Sequence, residues 1–343
     1  MGQGMRKLIA GCLFVVGCLW GVAEDAVDAE LMFRGKRDGL WYFDLSRKPF
    51  TGKAKSKYAD GSMKFSGSFV EGLYDGEVLR WWPNGNRKTV ETFEKGEPTG
   101  EHGVWYEDGV RRQKLNYVDG KGEGNATTWY ANGQMMERVA LVKGLREGPY
   151  RAWFESGEEK VVCDFVNNLK QGEELLYAEP GVLSGKAFFE KGRPHGVVVQ
   201  YHPNGEKLTE KGYVNGVREG VEKEWWLNGR VKIEGNYKAG GKDGLQVRWH
   251  ENGKKRAEAE YAEGKLNGVV REWTEEGVLV YKATFRDRKL QGELLRWNAK
   301  GELVVRKVFV AGKEALKERR YGPGATEELK RKERDKSTSS ESK

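Results

Sequence analysis

The chain has 343 residues, among them 47 glycines and 12 tryptophans, with 33% charged and 38% hydrophobic side chains. So little apolar material excludes one large globular core, and so many aromatics exclude a wholly disordered chain. The 60 basic and 52 acidic residues leave a net charge of +8, a mild pull toward anionic surfaces on an otherwise mixed, solvated exterior.

The first element in chain order is an export signal. Arg6 and Lys7 precede an uncharged apolar run from Leu8 to Val22, and Gly21-Val22-Ala23 supplies the small residues of a cleavage site, giving a signal peptide over 1–23. A second processing route is open: Val15-Val16-Gly17-Cys18 has the form of a lipoprotein box, in which Cys18 is acylated. The run is too short for a membrane span. Both routes place the mature chain in the periplasm, at the outer membrane or outside the cell, with a lipid-anchored form through Cys18. Cys12 and Cys18 fall in the leader, so Cys163 stands alone afterwards, with no disulfide framework and no metal spacing.

After a short segment over 24–37, a repeat governs residues 38–313. Turn glycines recur every 24 residues, from Gly61 and Gly85 to Gly277 and Gly301, usually after Asn or Asp as in Asn84-Gly85 and Asp108-Gly109. Such pairs tolerate the positive φ of hairpin turns. A second series runs in step from Gly52 and Gly76 to Gly292. A third runs from Gly72 to Gly312, broken at Asn168 and Arg288. Stretches such as Glu71-Gly72-Leu73-Tyr74-Asp75-Gly76, between these two series, form the return connections.

Aromatics keep the same frame. Trp81, Trp105, Trp129, Trp153, Trp225, Trp249, Trp273 and Trp297 stand four residues before a turn glycine, with Tyr177 and Tyr201 completing the row. Phe69, Phe93, Tyr117, Phe165, Phe189 and their successors stand eight after it. Segments of five to nine residues between turns suit strands. Pro83 and Pro203 sit where a type I turn accepts proline, favouring a three-residue loop. By counting residues, that loop puts both aromatic rows on one face as a continuous apolar stripe. The expected fold is all-β, an elongated single-layer antiparallel sheet of tandem β-hairpins. A charged, largely disordered tail over 314–343 follows, with a short helix at 314–320 as its one apolar-patterned piece.

Trp81-Trp82-Pro83-Asn84-Gly85, Trp129-Tyr130-Ala131-Asn132-Gly133 and Tyr201-His202-Pro203-Asn204-Gly205 carry a pattern that resembles MORN repeats, in particular the bacterial, antitoxin-like MORN variant, with about eleven units. The opening Lys48-Pro49-Phe50-Thr51-Gly52 is similar to the start of such arrays. The resemblance implies a single-layer sheet used in protein scaffolding, dimerisation or lipid binding. The antitoxin label would imply a cytoplasmic toxin partner, which an exported chain does not meet.

No catalytic, cofactor or metal site is expected, and hence no enzyme. His102, His195, His202 and His250 form no ligand spacing, and His202 and His250 occupy the position of Trp82, Tyr106 and Tyr130. Carboxylates follow the repeat, and the glycine spacing is spent on turns. Two features suit binding. One is a second aromatic row, Trp82, Tyr106, Tyr130, Phe154 and Trp226, turned away from the tryptophan row. The other is a basic ladder after the turns: Lys64, Arg87, Lys88, Arg111, Arg112, Lys160, Lys207, Lys232, Lys255 and Arg256. The expected function is a non-catalytic protein-binding scaffold of the bacterial envelope or exterior. Alternatives are a carbohydrate or cell-wall polymer binder through the aromatics, or an anionic-lipid binder through the basic ladder. Nucleic acid does not fit an exported chain, and the open sheet edges suit a homodimer.

Overall fold

The computed structural model describes residues 26–44 and 48–320. The leader with Cys18 and the tail beyond 320 lie outside these residues. Strands dominate, and among the described residues the one helical piece is a single 3-10 turn, Ala29–Leu31. The chain divides into two compact units, one running to Gly100 with Glu107–Gly109, the other comprising Glu101–Tyr106 and Val110 onward.

In the first unit, strands Gly52–Lys57, Met63–Val70, Leu73–Trp81 and Arg87–Glu94 pair antiparallel in chain order. The free side of Gly52–Lys57 is met in parallel by Val27–Asp28. Residues Trp41–Phe43, expected within the first unit of the array, instead pair with Met32–Arg34 in a separate two-stranded sheet. The rings explain it: Trp41 lies 6.1 Å from Phe69 and 6.2 Å from Tyr74, and Phe50 lies 5.6 Å from Phe69. This hairpin covers aromatic surface that a terminal repeat would leave wet.

In the second unit, antiparallel strands follow one another from Arg111–Val118 to Leu303–Val310 and Lys313–Arg320, in one open layer. The last strand replaces the helix and disordered start expected at 314–320. Ala311 and Gly312 have φ of 49° and 85°, as in every preceding return turn. Strand Leu303–Val310 would otherwise present an edge of unpaired N–H and C=O groups.

Outside Pro180-Gly181, where Glu179 pairs with Val182 across two residues, the tight turns share one form: Gly85 donates to the Trp82 carbonyl at 2.9 Å, with Trp82 N–H donating to the Asn86 carbonyl at 2.8 Å. This is the expected three-residue loop. Its consequence for the aromatic rows differs from the expectation. Trp81 pairs with Arg87 but Arg80 pairs with Thr89, so a bulge shifts the register by one residue. Phe93 therefore stands opposite Gly76, and the two aromatic rows lie on opposite faces. One face, here the ring face, carries Phe69, Tyr74, Val78 and Phe93. The other, the tryptophan face, carries Trp81 and its equivalents. On the latter, a Cβ at Gly103 would fall inside the Trp105 ring.

The return turns are two residues long with positive φ at both, as at Lys95-Gly96. Asn168 and Arg288 adopt the glycine conformation at φ 66°. The Gly76 series is not part of this turn but marks a bulge inside the following strand, where the register shifts and φ is positive. Successive repeats are knitted at the turn. Its second N–H donates to a carbonyl 22 residues back, Gly96 to Tyr74 at 2.8 Å. Its first donates to a side chain 20 residues back, Lys143 to Glu123, Asn167 to Glu147 and Ala239 to Glu219, each at 2.8 Å.

Candidate functional site

The second aromatic row proves to be a fastening between repeats. The hydroxyls of Tyr106 and Tyr130 donate to the carbonyls of Trp129 and Trp153 at 2.9 Å, and that of Tyr58 to Trp81 at 2.8 Å. His250 Nε2 stands 3.0 Å from the Trp273 carbonyl, and His202 stands likewise against Trp225. The histidines thus replace a hydroxyl as well as a ring. All these side chains, with Trp82, Phe154 and Trp226, are half-buried.

The basic ladder meets this row. The Lys88 ammonium lies 4.2 Å from the Trp82 ring centre and Lys232 lies 4.8 Å from Trp226. Lys160 stands over Phe154 and Arg112 over Tyr106. Such cation–ring contacts contribute about 0.5–1 kcal/mol at exposed sites. Arg111 lies over Trp105 and pairs with Glu101. Lys255 lies over Trp273 and pairs with Glu258 at 3.0 Å. Arg87 and Arg256 are exposed. The two sequence features therefore form one structure at the hairpin tips, with most members engaged inside the sheet.

The two faces differ in what they bury. Phe69, Val78, Ala152, Cys163, Phe165, Ala187, Ala283 and Leu294 are buried on the ring face, while Leu303, paired with Trp297, is buried on the other. Burial pushes the Cys163 thiol pKa up, away from a thiolate. Burial and the Glu137 carboxylate push Tyr150 to about 12. Among the described residues, no three His, Cys, Asp or Glu side chains are grouped to hold a metal.

The tryptophan face holds most of the exposed aliphatics. Val142 and Leu145, Val166 and Leu169, and Val214 and Val217 pair across return turns. Next to the last pair, Phe188 and Val197 stand on neighbouring strands of this face, and Val221 and Leu245 follow on every second strand, with Gly212 and Asn236 between; Val197 and Val221 are each 53% exposed and Leu245 is 49% exposed. Glu190, Glu260, Lys186 and Lys238 share the face around them. The sequence analysis did not single these residues out, though a signal existed. The position after the bulge glycine is Glu77, Glu101, Glu173 and Glu293 in four repeats and Asn125 and Pro149 in two, but Val197, Val221, Leu245 and Val269 in four successive ones. Those four repeats carry an aliphatic side chain at one outward position.

Four consecutive segments, 194–215, 218–239, 242–263 and 266–287, match the family model described as the MORN repeat variant. That stretch carries MORN-type repeats, which are protein- or lipid-binding modules in general. No curated protein matches the chain. Two solved structures, "Crystal Structure of TcdB2-TccC3" and "Crystal Structure of TcdB2-TccC3-Cdc42", align at 10% and 11% identity with TM-scores of 0.15 and 0.14. The alignments cover 75% and 80% of this chain, which spans 16% and 15% of theirs. At such scores the likeness carries no argument.

Proposed function

We propose that this chain is a non-catalytic scaffold of the bacterial envelope or exterior, built of about eleven MORN-type units, that binds a protein partner on its tryptophan face around Val197, Val221 and Leu245. The carrying observation is the segregation of the faces: buried hydrophobic side chains gather on the ring face, Leu303 excepted, while exposed aliphatics gather on the other. A cluster of apolar side chains left in water marks an interaction surface. Its surroundings choose the partner class. An apolar centre with a rim of both signs, Glu190 and Glu260 beside Lys186 and Lys238, has the make-up of a protein–protein interface. An anionic lipid surface calls for a rim of cations only.

The test is a quantitative pull-down from envelope fractions with the wild-type chain and with Val197→Asp/Val221→Asp. Both positions are exposed, so the double variant should keep its fold, checked by far-UV circular dichroism. A protein captured by wild type and recovered at least tenfold less by the variant supports the reading. Equal recovery by both, or capture of glycan or lipid alone, overturns it.

A further inference from the structure

The ring face carries a recess over residues 211–272 whose origin is plain in the sequence. The position occupied by Glu91, Leu115, Val139, Cys163 and Lys211 in other hairpins is Gly235 and Ala259 here, and is small also at Gly67, Ala187 and Ala283. The surface there opens into a cavity of about 400 Å³, walled by Ile233, Leu266 and Val270 and by the rings of Tyr237 and Tyr261. A side chain at Gly235 would collide with Gln246, which lies across the bare backbone and donates to the Asn236 carbonyl at 2.9 Å.

Four cations line this cavity: Lys211, Arg218, Lys242 and Arg248. Buried Glu222 takes two of them, Arg218 at 2.9 Å and Lys211 at 3.4 Å. Among the described residues, Lys242 and Arg248 form no ion pair. Arg218 stands 5.1 Å from the Tyr237 ring centre and Lys242 stands 5.2 Å from that of Tyr261. Burial, and after it the Arg248 guanidinium, lowers the Lys242 pKa against the opposing pull of the Glu222 carboxylate. Glu224 and Glu272 also line the cavity, and Glu258 is held by Lys255 and Arg271. The lining itself holds four cations and four carboxylates, and Lys255 and Arg271, paired to Glu258, bring the region to six cations against four carboxylates.

We propose that this cavity binds a small organic monocarboxylate, its carboxylate held by Lys242 and Arg248 and its body laid against Tyr237 and Tyr261. The planar guanidinium of Arg248 matches a carboxylate in two-point contact. A phosphate dianion would meet the carboxylates of Glu224 and Glu272 with twice the charge of a monocarboxylate. The carboxylate is either that of a free small molecule or a glutamate side chain of a polypeptide. The site lies on the face opposite the proposed protein-binding patch and does not depend on that reading.

The experiment is saturation-transfer NMR and calorimetric titration of the full chain with benzoate, with the neutral isostere benzamide, with inorganic phosphate and with the capped tripeptide Gly-Glu-Gly. Expected are millimolar or tighter binding of benzoate or the tripeptide, benzamide and phosphate at least tenfold weaker, and at least tenfold loss in Lys242→Met/Arg248→Met. Tighter binding of the tripeptide than of benzoate assigns the site to a polypeptide carboxylate, and the reverse assigns it to a free one. Should the double variant fail to fold, Arg248→Met, at an exposed side chain, keeps the test. No binding by either carboxylate, benzamide or phosphate equal to them, or variants that bind as wild type all overturn the proposal. Val197→Asp/Val221→Asp should leave benzoate binding unchanged, which separates this site from the partner surface.

Discussion

The same position of the repeat is filled by a ring at Phe50 and Tyr74 in the first unit and by a cation in four repeats of the second. Tyr74 lies between Phe69 and Phe93, with ring centres 4.8 and 5.2 Å away. Its equivalents Arg146, Lys170, Arg218 and Lys242 lie over Phe165, Phe189, Tyr237 and Tyr261, at 5.1 to 5.2 Å. The backbone register is common to both, so the spacing is common too. What changes is the chemistry that accompanies it. A stacked ring needs only apolar neighbours such as buried Val78, whereas a half-desolvated cation draws a carboxylate into the next position on the strand. Lys170 pairs with buried Glu174, and Arg218 with buried Glu222, where the first unit has Val78. One backbone thus supports a dry, cap-covered ring stack and a charged face with a cavity.

The comparison breaks most severely at Phe69, which is 3% exposed and touches Trp41, Phe50, Phe65 and Tyr74. Phe69→Ala should remove about 3–5 kcal/mol, with urea unfolding as the measure and amide exchange showing the loss concentrated before residue 100. A uniform loss along the chain would mean that the cap hairpin is not the first unit's own support. In the second unit the matching weak point is polar. Glu222→Ala strands Arg218 and Lys211, and since both are partly exposed the expected loss is about 1–3 kcal/mol. Glu222→Gln should recover part of it, and an effect under about 0.5 kcal/mol would show water already satisfying these cations.

A smaller effect is expected from the backbone. Arg288 holds φ 66° in a place filled by glycine in most repeats, so Arg288→Gly should stabilise the chain by about 1 kcal/mol and raise the melting temperature by a few degrees. Asn168→Gly should gain less, because asparagine tolerates this conformation. The smallest effect sharpens the comparison directly. Arg146→Tyr writes the first unit's chemistry into the second, at a site where Tyr150 rather than a carboxylate follows. Stability should change by less than about 1 kcal/mol. A drop larger than that would show that the cation does more at Arg146 than cover Phe165.

Much of this was available before any coordinates. The 24-residue spacing of glycines and aromatics located every hairpin from Gly52 onward, the Asn-Gly pairs marked its turn, and Pro83 and Pro203 favoured the three-residue loop. The failures came one residue at a time. Counting through the loop placed Trp81 and Phe93 on one face, because the bulge at Arg87 and Lys88 is invisible to counting and inverts every side chain beyond it. The Gly76 series was assigned to the return turn, because a bulge and a turn both call for positive φ. The aromatic and basic rows were recognised as features, but their mutual contact was not, since it runs between strands six residues apart and between repeats 23 residues apart. The Val197, Val221 and Leu245 patch was overlooked because each residue is ordinary for a strand, and only its outward direction makes it informative.

By itself the sequence determined the period, the strand lengths and the turn chemistry, since glycine, asparagine and proline act through local backbone sterics that need no neighbour. Only the tertiary structure decided which face each row occupies, which cations are satisfied and where a cavity opens. Those properties depend on pairing register and on desolvation by residues 20 or more positions away, and no local preference encodes either.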